Sequence, residues 1–186
     1  MKIPANLRKI IAFDTLGWIA TASILLCTFT GAMLAVPYDV AVPYLSVTRL
    51  VISNPAASLF RNMHYWSAQL FLVLTLIHIL DHLWKGTENN INKKSTWFRL
   101  ILSLVFTMYA MLSGFILRAD GDSLQAHRIL ASLVSSIPWL GTLLQQTFIG
   151  TEGHFQVMYI QHAATASVFL FIIIMEHARS LKVKYG

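Results

Sequence analysis

The chain of 186 residues contains one cysteine, Cys27. A single thiol excludes an intrachain disulfide and any C-x-x-C motif for a metal or a covalently attached haem. Charge is scarce as well. Charged residues make up 12% of the sequence, against roughly 25% in soluble domains, while 56% is hydrophobic. That balance excludes a disordered chain, a disulfide-rich secreted module and an ordinary soluble enzyme. Acidic residues are the scarcer sign, 8 against 14 basic, for a net charge of +6. The basic residues avoid the apolar tracts, so the excess reads as the basic face of a membrane protein and not as a nucleic-acid surface. There is no internal repeat and no low-complexity segment. The basic stretch Met1 to Lys9 is followed by no small-residue cleavage site. The apolar run behind it is too long for a signal peptide and reads as a permanent span.

A helix needs about 20 apolar residues to cross the hydrocarbon. Four windows without Asp, Glu, Lys or Arg approach or exceed that length: 24 residues between Asp14 and Asp39, 19 between Arg61 and Asp81, 18 between Arg99 and Arg118, and 23 between Glu152 and Glu176. They predict helices A, B, C and D. Pro37 and Pro43 bracket the exit from A, and Gly86 with Asn89, Asn90 and Asn92 marks the B–C turn. A fifth uncharged window, Ile129 to Thr151, is broken by Pro138 and Gly141 and carries serines and glutamines. It predicts two short interfacial helices instead of a span. With four spans, ten basic residues fall on the side of the termini and the B–C turn. Only Arg49, Arg61, Arg118 and Arg128 fall on the other. The expected fold is all-α, one domain over residues 1–186: a transmembrane four-helix bundle with short interfacial helices in the A–B and C–D connections. Both termini are expected on the cytoplasmic or equivalent face.

Helices B and D carry two histidines each, His64 with His78 and His162 with His177. The 14-residue spacing on B returns to within about 40° of its start, and the 15 residues on D overshoot by about 60°. Each pair therefore lies roughly on one face, about 21 to 22 Å apart along the helix. B and D run in the same direction, so His64 meets His162 near the outer surface and His78 meets His177 near the inner one. A lone histidine in such a helix reads as an interhelical hydrogen-bonding group. Two matched pairs point to the axial ligands of two stacked haem irons. His82 is expected at the headgroup level beside Asp81, and His127 and His154 are expected to be solvated in the outer connections. Gly17 and Gly31 on A are also 14 apart. They and Gly114 on C would let a haem face approach the backbone where no side chain intervenes. Small-residue helix packing is the plainer account of each glycine taken alone.

These features together resemble the N-terminal, four-helix half of cytochrome b. The resemblance rests on the two His pairs, Gly17-x13-Gly31, Arg61-x-x-His64, Ser95-Thr96-Trp97, Ser113-Gly114 and Ile137-Pro138-Trp139-Leu140-Gly141, and runs from about Asp14 to Lys184. The 15-residue spacing on D and the stop after it resemble the split, chloroplast-type form, whose C-terminal half is a separate polypeptide. The resemblance implies two non-covalent b-type haems and quinol-linked electron transport. It also implies Arg61 as a haem-propionate partner. The sequence departs from the family after helix C, where Arg118-Ala119-Asp120 replaces a Pro-Trp motif. It departs again at Val157, where the family has an arginine whose charge Arg118 would supply. The chloroplast-type cysteine for a third haem corresponds to Thr15, and Cys27 reads as packing.

The expected function is a membrane electron-transfer subunit of a quinone-linked oxidoreductase, such as a respiratory-chain complex. Its partners would be a quinone or quinol, other redox and membrane subunits, and a separate cytochrome b C-terminal half. The competing reading is a structural membrane anchor without redox function. A transporter fits less well, because the helices show neither midplane breaks nor repeats.

Overall fold

The computed structural model describes residues 13–84, 94–168, 170–172 and 174–175. Among these residues the chain is helical apart from short connecting turns, without strands. Helix α1, Phe13–Ala35, corresponds to A. The hydroxyls of Thr21, Ser23, Thr28 and Thr30 are satisfied within the helix, as when Thr21 and Thr28 donate to the carbonyls of Gly17 and Ile24, both at 2.8 Å. That local bonding lets a hydroxyl sit in an apolar span. The short helix α2, Pro43–Ser53, opens with proline at its first position, where the missing N–H is not needed. Asn54 separates it from α3, Pro55–Trp84. The Asn54 side chain accepts from the N–H groups of Ala56 and Ala57 at 3.0 and 3.3 Å, an N-cap before a first-turn proline. Helix C is α4, Lys94–Ile116.

Three of these helices are long and apolar enough to cross a membrane: Leu16–Ala35, Pro55–Asp81 and Trp97–Ile116. The fourth expected span begins as α7, Gln156–Ile160, and continues into a π turn, Gln161–Ala166. Its far end, including His177, lies outside the described residues, as do the B–C turn and the N-terminal basic stretch. Helix α1 packs along α3, and α4 packs against α3 and the π turn of D. Ile24, Cys27, Phe71 and Leu170 form a buried cluster joining A, B and D. A second cluster of Ile116, Leu117, Ile149, Phe155 and Met158 closes the end of the bundle beyond His162, the outer end in the expected topology. Large apolar side chains such as Leu25, Phe29, Leu76 and Val105 stay exposed on the spans. A soluble surface would not carry so much exposed apolar area, whereas lipid covers it without penalty.

The C–D connection holds the expected short helices. Helix α5, Gly121–Ser135, is N-capped by Asp120, which accepts from the Ser123 N–H at 3.0 Å. Burial opposes ionisation of Asp120, but the Ser123 hydrogen bonds and the neighbouring Arg118 outweigh it and hold the carboxyl below its ordinary range. After a turn at Pro138, α6, Gly141–Leu144, runs into a π turn, Gln145–Ile149. A Cβ on Gly141 would lie 2.4 Å from the Ser135 carbonyl oxygen, so only glycine closes this hairpin. Two details differ from a flat surface connection. Tyr109 donates to the Phe148 carbonyl at 2.6 Å. Tyr109 lies two turns below the end of α4, about 10 Å of helix, so the second half of the connection dips beside that helix. His127 is also not solvated. It is 4% exposed, and its Nε2–H donates to the Ile149 carbonyl at 3.3 Å beside Phe155. The α5 face that carries it is packed on the outer cluster, which turned a loop histidine into a core one.

Candidate cofactor site

His64 on α3 and His162 on the D π turn face each other across the bundle. Their ring centres are 6.1 Å apart and their planes stand at 78°. Each ring is fixed from behind by a different helix. His64 Nδ1 lies 2.8 Å from the Cys27 carbonyl oxygen on α1. His162 Nδ1 lies 2.9 Å from the Ala110 carbonyl oxygen on α4. A carbonyl only accepts, so both Nδ1 atoms carry the proton and both Nε2 atoms keep a free lone pair. That is the tautomer a metal-ligating histidine needs, with its orientation set by the outer partner.

The glycines explain how the rings reach those carbonyls. Gly31 is four residues after Cys27, and Gly114 four after Ala110. A Cβ on either would stand 2.8 Å from the Cε1 of the facing histidine. In this structure the group that needs the clearance at Gly31 and Gly114 is thus the imidazole. A Cβ on Gly17 would meet nothing within 4 Å.

The pair opens on one cavity of about 930 Å³ between α1, α3, α4 and D, also lined by Gly31, Gly114, Arg61 and Arg118. That volume lies within the roughly 300–1,000 Å³ of cofactor pockets. The ring separation fits as well. Two metal–imidazole bonds of about 2 Å, plus about 1 Å from each nitrogen to its ring centre, put the centres roughly 6 Å apart. Among the described residues no three His, Cys, Asp or Glu side chains converge on a point. A facing pair is what an iron already held by four macrocycle nitrogens requires.

Arg61 stands one turn before His64 on the cavity wall. Arg118 reaches the same wall from the end of α4, with its guanidinium 4.6 Å from the Phe115 ring centre. It is ion-paired with Asp120, which links the cavity to the cap of α5. Val157 packs on the backbone of Gly150. Sequence reasoning missed the aromatic closure of the outer end. Tyr38 and Tyr159 stack at 5.3 Å with planes 7° apart. Tyr38 donates to the Leu117 carbonyl at 2.8 Å and Tyr159 to the Ala35 carbonyl at 3.2 Å. Both are carbonyls that the ends of α4 and α1 leave unpaired. Burial and the adjacent Tyr159 push the Tyr38 phenol above its ordinary range, so it remains a donor. Of the expected inner pair, His78 is buried on α3 at 7% exposure, and His177 is outside the described residues. Cys27, Ala110 and Ser113 were likewise not expected as partners of the two histidines.

A membrane-embedded helical bundle that presents two imidazole lone pairs into a cofactor-sized cavity defines a haem-binding membrane protein. The sequence matches the Cytochrome b/b6/petB family over residues 2–157, and the chain belongs to that family. Membership makes it a membrane protein of haem-based electron transfer. The match ends before His162.

Proposed function

We propose that this chain is the membrane electron-transfer subunit of a quinone-linked redox complex. In this reading residues 1–186 form a single four-span domain with both termini on the cytoplasmic or equivalent side. Two non-covalent b-type haems lie in it, one near each face. When bound, they supply reversible one-electron chemistry at iron. His64 and His162 hold the outer group, and His78 and His177 the inner one. Two histidines per haem would leave no position at iron for an exogenous ligand, which suits transfer and not substrate activation. Arg61 and Arg118 neutralise propionates, Arg118 sharing its charge with Asp120. Gly17, Gly31 and Gly114 keep the helices clear of the ligands and the macrocycle. The partners are a quinone or quinol, other redox and membrane subunits, and a separate cytochrome b C-terminal half.

The observation that carries the reading is the outer pair: two partly buried imidazoles 6.1 Å apart, each with its Nδ1 proton committed to a backbone carbonyl. Haem quantification on the purified protein tests it. Two b-type haems per chain are expected, both extracted by acidic acetone because the chain has no C-x-x-C attachment motif and Thr15 stands where the chloroplast-type cysteine would be. One haem per chain would remove the inner pair. None would leave a structural anchor, and haem that stays with the polypeptide in a denaturing gel would contradict non-covalent binding.

A further inference from the structure

The two outer ligands are held alike by backbone and differently by side chains. Ser113 is fully buried on α4. Its hydroxyl donates to the Ala110 carbonyl at 3.0 Å, which turns its lone pairs outward, and its Oγ lies 3.1 Å from His162 Nδ1. The His162 N–H therefore lies between two oxygen acceptors on one helix. On the opposite side the His64 N–H meets the Cys27 carbonyl at 2.8 Å and, beyond it, the Cys27 sulfur at 3.5 Å. A thiol sulfur is a much weaker acceptor than a hydroxyl oxygen.

We propose that Ser113 is a positioning residue for the outer cofactor: its hydroxyl fixes the His162 ring, makes that imidazole the stronger of the two axial donors and lowers the midpoint potential of the outer haem. The inference rests on the assignment of His64 and His162 as outer ligands. Two consequences follow from general chemistry. Acceptors on the N–H raise the basicity of the ligating nitrogen. A more basic ligand favours the more highly charged ferric ion, so the hydroxyl pulls the potential down. Secondly, two contacts from one helix hold a ring plane more firmly than one. The 78° between the two rings is thus partly set by Ser113. The ferric low-spin electron paramagnetic resonance (EPR) signal reads that angle, because its g-anisotropy depends on the relative orientation of axial imidazoles.

The test uses the purified haem-loaded protein and compares Ser113→Ala, Ser113→Cys and Cys27→Ala by redox titration and EPR. Ser113→Ala keeps the Ala110 carbonyl contact, so both haems should remain. The outer potential should rise by up to about a tenfold change in the oxidation equilibrium, about 59 mV for one electron, with an altered ferric g-anisotropy. Ser113→Cys, which puts on α4 the weak acceptor α1 already has, should fall between the wild type and the alanine variant. Cys27→Ala should shift the potential less than Ser113→Ala. An unchanged potential and EPR signal in Ser113→Ala, or a larger shift in Cys27→Ala, would overturn the proposal. If Ser113→Ala loses the outer haem, Ser113→Cys decides: a raised potential supports the role and an unmoved one overturns it. A wild-type protein without an outer haem would instead remove the ligand assignment itself.

Discussion

Gly31 and Gly114 do for the histidines what a longer side chain would prevent. Each stands one helical turn after the carbonyl that receives the imidazole proton, so the ring must pass over the glycine to reach it. Alanine at either site brings Cβ to 2.8 Å from Cε1, and a ring held at Nδ1 has little room to yield. Overpacking of this kind costs about 1–3 kcal/mol, and here it also pulls the ligand from its partner. Gly31→Ala and Gly114→Ala should each lower the haem content at the outer site while the inner haem is kept. Gly17→Ala is the informative contrast. Its Cβ would meet no protein atom within 4 Å, so the polypeptide should fold and express normally, and a loss of inner haem would come from the bound group alone. Haem-to-protein ratios of the three variants check this, and a wild-type ratio in Gly114→Ala would count against the clearance argument. Part of the side-chain half of this arrangement was readable from spacing: the histidines recur at 14 and 15 residues and Gly17 and Gly31 at 14, whereas Leu100 stands 14 residues before Gly114. The backbone half was not, because the Cys27 and Ala110 carbonyls leave no mark in the sequence. Cys27 was expected only to pack. It does pack, but its carbonyl and sulfur also meet His64.

Helix D shows a further limit of periodicity. Spacing put its histidines 15 apart and about 60° past a full turn, a poorer alignment than the 14 on B. The structure places His162 in a π turn, Gln161–Ala166. A π turn takes in about one extra residue, which the 100° spacing rule does not count, and such turns concentrate at functional sites. Nothing in the local composition announces it, since the widening follows from packing on α4. The C–D hairpin holds a second backbone irregularity. Trp139 has φ of 69° and its side chain is fully exposed. A bulky residue in the left-handed region is strained by about 1–2 kcal/mol, and Trp139 offsets none of it by packing within the chain. Trp139→Gly should therefore stabilise the isolated protein by about 1 kcal/mol, a rise of roughly 2–4 °C in Tm. Thermal melting in detergent, followed by circular dichroism, checks this. A lower Tm would mean that the indole contributes a contact at the bilayer interface, where tryptophans favour headgroup depth.

The bundle as a whole follows from charge-free windows and their order. The windows called A, B and C coincide with α1, α3 and α4, because a run long enough to cross hydrocarbon has few alternatives to a helix. The short helices on either side of Pro138 were foreseen from Pro138 and Gly141. The dip beside Tyr109 and the burial of His127 were not, since both depend on contacts between segments far apart in sequence. The two proposed haem levels are separated on α3 by 14 residues, about 21 Å of helix. Substitutions that far apart act nearly independently. His78→Ala should therefore remove the inner haem alone, taking the count from two per chain to one. The outer group should keep its midpoint potential, because His64 still bonds the Cys27 carbonyl and His162 the Ala110 carbonyl. Quinone-linked electron flow should fail nonetheless, since a path across the bilayer needs both levels. Haem quantification, a redox titration of the remaining haem and quinol-dependent turnover separate the possibilities. Loss of both haems would show that the two levels fold as one unit. Two haems with full turnover would remove His78 from the ligand set.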